Sequence, residues 1–130
     1  MLPSIYVINV AALSKPHAVE QLAADLTSYD TDVAVITETH FKARHSDKVI
    51  SIPGYKLYRR DRQRRRGGGV TVYIRANIQS DGWTKPSDDP DYELLWVQAG
   101  DVIIGALYHP HGLHTLLVHC LITLNPVLMN

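Results

Sequence analysis

A chain of 130 residues that is 45% hydrophobic and 20% charged has enough apolar material for one folded domain, which excludes a disordered segment. Its single cysteine, Cys120, excludes an internal disulfide and a thiolate zinc cluster, and fits a reduced compartment. The formal net charge of zero hides a division: Lys42 to Arg75 holds eleven Lys/Arg against Asp47 and Asp61, a balance of +9, and the remaining two basic and eleven acidic residues carry −9. A basic segment within a neutral chain directs attention to a polyanionic partner for that segment alone.

The opening "MLPSIYVINVAAL" has no basic leader, and Asn9 interrupts its apolar run, so no secretory signal is expected and the expected location is intracellular, nuclear or cytoplasmic. Within it, Ser4 to Val10 is β-branched and aromatic and predicts a buried strand. Ser14 is a candidate helix cap, with Pro16 then at the second helical position. Val19, Leu22, Ala23 and Leu26 recur at i, i+3, i+4 and i+7, the stripe of a helix ending near Tyr29. "DTD" turns the chain into a second strand, Val33 to Thr37.

A strand, a crossover helix and a strand within about thirty-five residues have the spacing of a parallel pair. Both strands are apolar nearly throughout, as expected when both faces are covered. Asn9 and Glu38 then leave the sheet at the same carboxyl end, the edge where open α/β architectures place ligands. "IPGY", Ile52 to Tyr55, turns into "KLYRRD", and Gly67 to Gly69 lead into "GVTVYI". This is an antiparallel hairpin with a basic loop at Asp61 to Gly67. "QSDGWTKPSDDPD" reads as a polar loop. "YELLWVQA" and "VIIGALYHP" form a further hairpin around Gly100 and Asp101. Trp96 is expected in the core and Trp83 at the surface. "LHTLLVHCLITL" fits a strand or a short helix equally. Leu113 to Met129, with two histidines, an asparagine and a proline, is too short to cross a bilayer comfortably.

Glu38 ends the apolar run in "VAVITETH". Taken alone, such a carboxylate is a solvated loop residue. The metal alternative requires an oxygen-rich site, since Mg2+ takes carboxylate and water oxygens, and Asn9 could add an amide oxygen or orient a phosphate at the same edge. Hydrolysis would further need a base to activate water and a group to meet the charge developing on phosphorus. "RRDRQRRR", Arg59 to Arg66, supplies Arg59, Arg60, Arg62, Arg64, Arg65 and Arg66, whose forks suit phosphate oxygens. The plainer reading is a solvated hairpin tip or a nuclear address. Gly67 to Gly69 is no P-loop, because no Gly-Lys-Ser/Thr follows, so it is expected to relieve crowding where the loop enters a strand. His109, His111 and His114, with His17, His40 and His45, lack the spacing of a zinc site.

Asn9 in "NV", Glu38 in "ITETH", Gly54-Tyr55, "RRDRQRRRGGGVTVYI" and "ALYHPH" together resemble the opening half of the endonuclease/exonuclease/phosphatase superfamily, and most closely the endonuclease domain of non-LTR (LINE-type) retrotransposons. The resemblance runs from about Ile5 to Pro110. It implies an α/β fold, a partial two-sheet sandwich whose mixed sheet begins β-α-β and continues in antiparallel hairpins. It also implies Mg2+ (Mn2+ as an alternative) held by Glu38 with Asn9, a Tyr108 hydroxyl on the scissile phosphate, DNA as partner, and a reverse transcriptase domain in a full-length parent chain. The family's later Asp-x-Asn motif and terminal Asp-His pair have no counterpart, since Asp101 is the last aspartate. The expectation is therefore residues 1–112 as the first half of such a domain, catalytically inactive as it stands, and residues 113–130 as an apolar tail joined by truncation or a shifted frame. The competing expectations are a nucleic-acid-binding remnant without catalysis and a phosphoinositide or phosphomonoester phosphatase-like relative.

Overall fold

The computed structural model describes residues 3–62, 67–83, 93–109 and 117–124, with positions 83, 93, 107–109 and 117–124 described by backbone alone. In chain order the elements are β1 (Ile5–Asn9), α1 (Ala18–Ser28), β2 (Val33–Thr37), α2 (Asp47–Ile50), β3 (Tyr55–Arg60), β4 (Val70–Arg75), β5 (Ser80–Trp83), β6 (Glu93–Ala99), β7 (Val102–His109) and β8 (Leu117–Leu124). They form two four-stranded sheets, ordered β1-β2-β4-β3 and β5-β6-β7-β8. The first is mixed, with β1 and β2 parallel and both other pairs antiparallel. The second is antiparallel throughout. The α/β two-sheet architecture with a β-α-β start is the one the sequence predicts.

Alternation along β2 and β4 sorts their side chains into two cores. Val33, Val35, Val70, Val72 and Ile74 face the second sheet and meet Val97, Ala99, Val102, Ile104 and Ala106. Ala34, Ile36 and Tyr73 face the other way, onto Leu22, Leu26, Phe41, Ile50 and Ile52. Each fully buried aliphatic side chain contributes roughly 1.5–3 kcal/mol, so these two layers hold the domain together. Among the described residues no helix is long and apolar enough to cross a membrane.

Several local expectations change. The helix begins at Ala18, behind a left-handed His17 (φ 66°) that makes no side-chain cap. Ser14 does not cap it, because its N–H donates to the Thr39 carbonyl and Lys15 turns back onto Ala12, leaving Pro16 ahead of the helix. β1 is only half-buried and Val7 is 45% exposed. The reason is position: β1 is an edge strand, while the second sheet packs through β6 and β7 on β3 and β4.

The stretch read as a polar loop contains β5, whose Ser80 Oγ lies 2.8 Å from the Tyr58 hydroxyl. "SDGW" has no apolar period to announce a strand. Trp96 is half-buried and lies outside the inter-sheet core, because Leu95, Val97 and Ala99 take the inward positions. Its ring covers Gly105, its register partner, where a Cβ would stand 2.6 Å from the indole. Residues 117–124 are a strand, paired along β7 from Val102↔Leu124 to His109↔Leu117.

Candidate functional site

The parallel register runs from Ile5↔Val33 to Asn9↔Thr37, so both chains leave the first sheet at one rim. Beyond the last pair an irregular ladder continues. Val10, Ala12 and Ser14 donate N–H groups to the carbonyls of Thr37, Glu38 and Thr39 at 3.2, 2.7 and 3.1 Å. On the opposite side Thr39 and His40 donate to Gly69 and Gly68 at 3.4 and 2.8 Å. The segment carrying Glu38 is thus clamped between the exit of β1 and the glycine triplet.

This rim is strained. Ala11, Ala12, Glu38 and His40 all have positive φ, at 41°, 85°, 56° and 62°. Each non-glycine residue in that region costs about 1–2 kcal/mol, and such residues cluster where function holds them. Two orphaned polar groups lie beside them. Asn9 is half-buried with a fully buried Nδ2 that has no partner, and Thr37, 0% exposed, has an unpartnered Oγ1. A buried polar atom without a partner costs about 1–3 kcal/mol. The nitrogen and oxygen of a carboxamide exchange places by a flip, so Asn9 can offer this rim a donor or a hard oxygen.

The register also forms a row across the sheet, Asn9–Thr37–Val70–Arg60. At its far end Arg60 Nη1 donates to the Leu94 carbonyl at 2.7 Å, joining the sheets. Leu94 pairs with Leu107, and the next pair is Glu93↔Tyr108. The backbone of Tyr108 therefore reaches the same end of the sandwich as Asn9 and Glu38; its side chain lies outside the described residues.

Arg59 corrects the reading of the basic run. Its Nε and Nη2 donate to Asp61, Nη1 to Asp47 and the His45 carbonyl, and Nη2 also to the Lys42 carbonyl. The guanidinium lies 5.4 Å from the centre of the Phe41 ring. A guanidinium has five N–H donors, and all five are used. Partial burial opposes its charge, but hydrogen bonds to Asp61 and then Asp47 outweigh this and hold its pKa above the ordinary value. Arg59 is a structural anchor with no donor left for a phosphate. Arg60 is an inter-sheet tie. The Arg62 carbonyl accepts Lys42 Nζ at 2.8 Å, fastening the base of the basic loop. Arg64, Arg65 and Arg66 lie outside the described residues.

One carboxylate with one carboxamide suits Mg2+ or Mn2+, which keep several waters and take few protein oxygens. Asn9 Nδ2, buried without a partner beside the strand that leads to Glu38, is the observation that fits a polar ligand at this rim. Among the described residues no three His, Cys, Asp or Glu gather around a common point. The histidines are dispersed: His17 faces Glu20 at 3.6 Å, His45 Nδ1 accepts the Lys42 N–H at 2.9 Å, and His40 lies against Gly67. His111 and His114 lie outside the described residues. Sequence reasoning missed Thr37, although a polar residue closing "VAVIT" was a signal. It also missed Ala11 and Ala12, which carry none.

Two packed four-stranded sheets with a β-α-β start, and an asparagine and a glutamate at the carboxyl rim of the parallel pair, are the features to set beside known folds. The chain matches the Endonuclease/Exonuclease/phosphatase family over residues 5–124 and belongs to it. That span includes β8. Among solved structures it is similar to the AP endonuclease LMAP from Leishmania major, with 19% identity and a TM-score of 0.52, over 92% of this chain and 39% of that one. The likeness is one of fold, and this chain spans well under half the length of that protein. No curated protein matches the chain.

Proposed function

We propose that the chain is part of a Mg2+-dependent DNA endonuclease of the LINE-type retrotransposon kind, and that these 130 residues do not cleave DNA by themselves. The observation that carries the reading is the delivery of Asn9 and Glu38 to one strained rim by the parallel β1–β2 pair. Family membership supports phosphoester chemistry there. Mg2+, or Mn2+ in its place, would supply Lewis acidity at a phosphoryl oxygen and a more acidic water. Glu38 holds the cation through its carboxylate. Asn9 orients the phosphate or completes the oxygen set, and Tyr108 offers a hydroxyl to the scissile phosphate. Arg62, Arg64, Arg65 and Arg66 contact backbone phosphates, giving affinity that is poor in sequence preference and falls with salt.

The resemblance implies this inactivity: no Asp or Glu occurs after Asp101 in these residues, so the later carboxylate that activates water in the resembled family has no counterpart among them. The test is nicking of supercoiled plasmid by the purified chain in Mg2+ and in Mn2+. No nicking is expected, and nicking lost on Glu38→Gln would overturn the inactivity while supporting the site. Anisotropy with labelled duplex DNA tests the partner. Neutralising Arg64 to Arg66 should weaken binding and flatten its salt dependence. Equal or tighter binding of an inositol polyphosphate would move the reading to a phosphatase-like relative.

A further inference from the structure

The glycine triplet is a motif to which the proposed chemistry assigns no task. All three glycines are left-handed, with φ 75°, 66° and 93°. The carbonyls of Gly68 and Gly69 accept the N–H groups of His40 and Thr39, the two residues after Glu38. A Cβ at Gly69 would stand 2.6 Å from Thr39 Oγ1, below any tolerable contact. Thr39 is 0% exposed and its Oγ1 accepts the Phe41 N–H at 3.4 Å, so displacing it would disturb a buried side chain and that bond. Across the segment, the Glu38 carbonyl is tied to Ala12. A side chain at position 69 would push Thr39 off the start of β4 and release the left-handed turn at Glu38.

We propose that Gly69 is a positioning residue for Glu38: its missing side chain lets the start of β4 close on the exit of β2, and that closeness holds the glutamate in the left-handed conformation from which it binds a divalent cation. The assignment rests on the reading of Glu38 as a metal ligand. Gly54 provides an internal control. It is also left-handed (φ 85°), but nothing lies within 4 Å of its would-be Cβ, and it sits before β3 at the far end of the sheet.

The experiment uses the whole chain and two readouts: Mn2+ affinity from the electron paramagnetic resonance of free Mn2+, and the φ-sensitive coupling of the Glu38 amide by NMR. Gly69→Ala should weaken Mn2+ binding about tenfold, the scale seen when a group supporting a metal ligand is lost. It should also abolish the left-handed signature of Glu38. Adding Thr39→Ala, which removes the clashing oxygen, should recover part of both. Gly54→Ala should lower the melting temperature and leave Mn2+ affinity unchanged. If Gly69→Ala does not fold, Gly67→Ala carries the test. Its Cβ meets His40 Nε2 at the milder distance of 3.3 Å, and a weakening of about two- to threefold is expected. Glu38-dependent Mn2+ binding that survives both glycine substitutions would overturn this assignment alone. Wild-type binding indifferent to Glu38→Gln would overturn the metal reading and this assignment with it.

Discussion

The two ends of the first sheet are built from the same strands and solve their polar groups in opposite ways. At the end where β2 begins, Ser4 Oγ donates to the Asp30 carbonyl and accepts the Asp32 N–H, while the Ser4 N–H reaches Asp32 Oδ2. Arg75 Nη2 donates to Asp30 and to the Thr31 carbonyl, which also receives the Tyr55 hydroxyl. Arg75 Nε stands 3.2 Å from Asp32 without completing a hydrogen bond. The one left-handed non-glycine residue there among the described residues, Asp30, follows the carboxyl end of α1, where aspartate tolerates that conformation. At the rim where β2 ends, two alanines, a glutamate and a histidine are left-handed, and Asn9 and Thr37 bury polar atoms that bond to nothing. One end is arranged for stability. The other holds its polar groups in reserve at a cost, which is how binding sites are commonly paid for.

The largest effect that could break this contrast comes from Arg59, a fully satisfied side chain at the same end of the sheet as the strained rim. Arg59→Ala should lower the unfolding free energy by about 3 kcal/mol or more, because it leaves Asp61, 13% exposed in its side chain, without its cation. Arg59→Lys should recover only part, since one ammonium cannot fill five positions. The exposed Asp47 arm adds little, and Asp47→Ala should cost under about 1 kcal/mol. Urea unfolding measures all three.

Thr37→Val and Ser4→Ala test the contrast directly. Replacing the orphaned hydroxyl by a methyl of similar shape should stabilise the fold by about 1 kcal/mol, and removing the doubly bonded Ser4 hydroxyl should destabilise it by about the same. The same sign at both ends would dissolve the distinction.

Between the ends, the Tyr73 hydroxyl donates to the Ile50 carbonyl at 2.8 Å. Burial pushes its pKa far up, against a smaller opposing pull from Arg59. Because the folded value lies above the unfolded one, the contribution is complete below about pH 10 and is lost as pH rises beyond it, by up to about 1.4 kcal/mol per pH unit. Tyr73→Phe should cost about 1 kcal/mol at neutral pH and flatten that alkaline decline in a pH series of thermal melts. The smallest effect expected is at Ala12. Glycine there relieves φ 85° and should raise stability by about 0.5 kcal/mol after its own entropy cost.

Much of the rim was readable before any coordinates. Val33 to Thr37 is apolar on both faces because both faces are covered, and that run fixes where Glu38 emerges. Asn9 follows from the same argument once the pair is parallel. Arg59 could not be separated from its five neighbouring arginines, because the acids and carbonyls that occupy it come from residues 42–47 and from Asp61. Trp96 lies on the outer face because Leu95, Val97 and Ala99 point inward, and the room for its ring there comes from Gly105, nine residues further on. The exposure of Val7 turned on which strand became the edge.

What the sequence determined alone is what short-range periodicity can encode: β1, α1, β2, β3, β4, β6 and β7 in order, the parallel pair, the hairpins, and Asn9 and Glu38 at the exits of the first two strands. Tertiary structure decided that Arg59 is enclosed, which strand lacks a neighbour, and where the backbone is held against its preference. Those outcomes depend on contacts between segments distant along the chain, and no local pattern of residues carries that information.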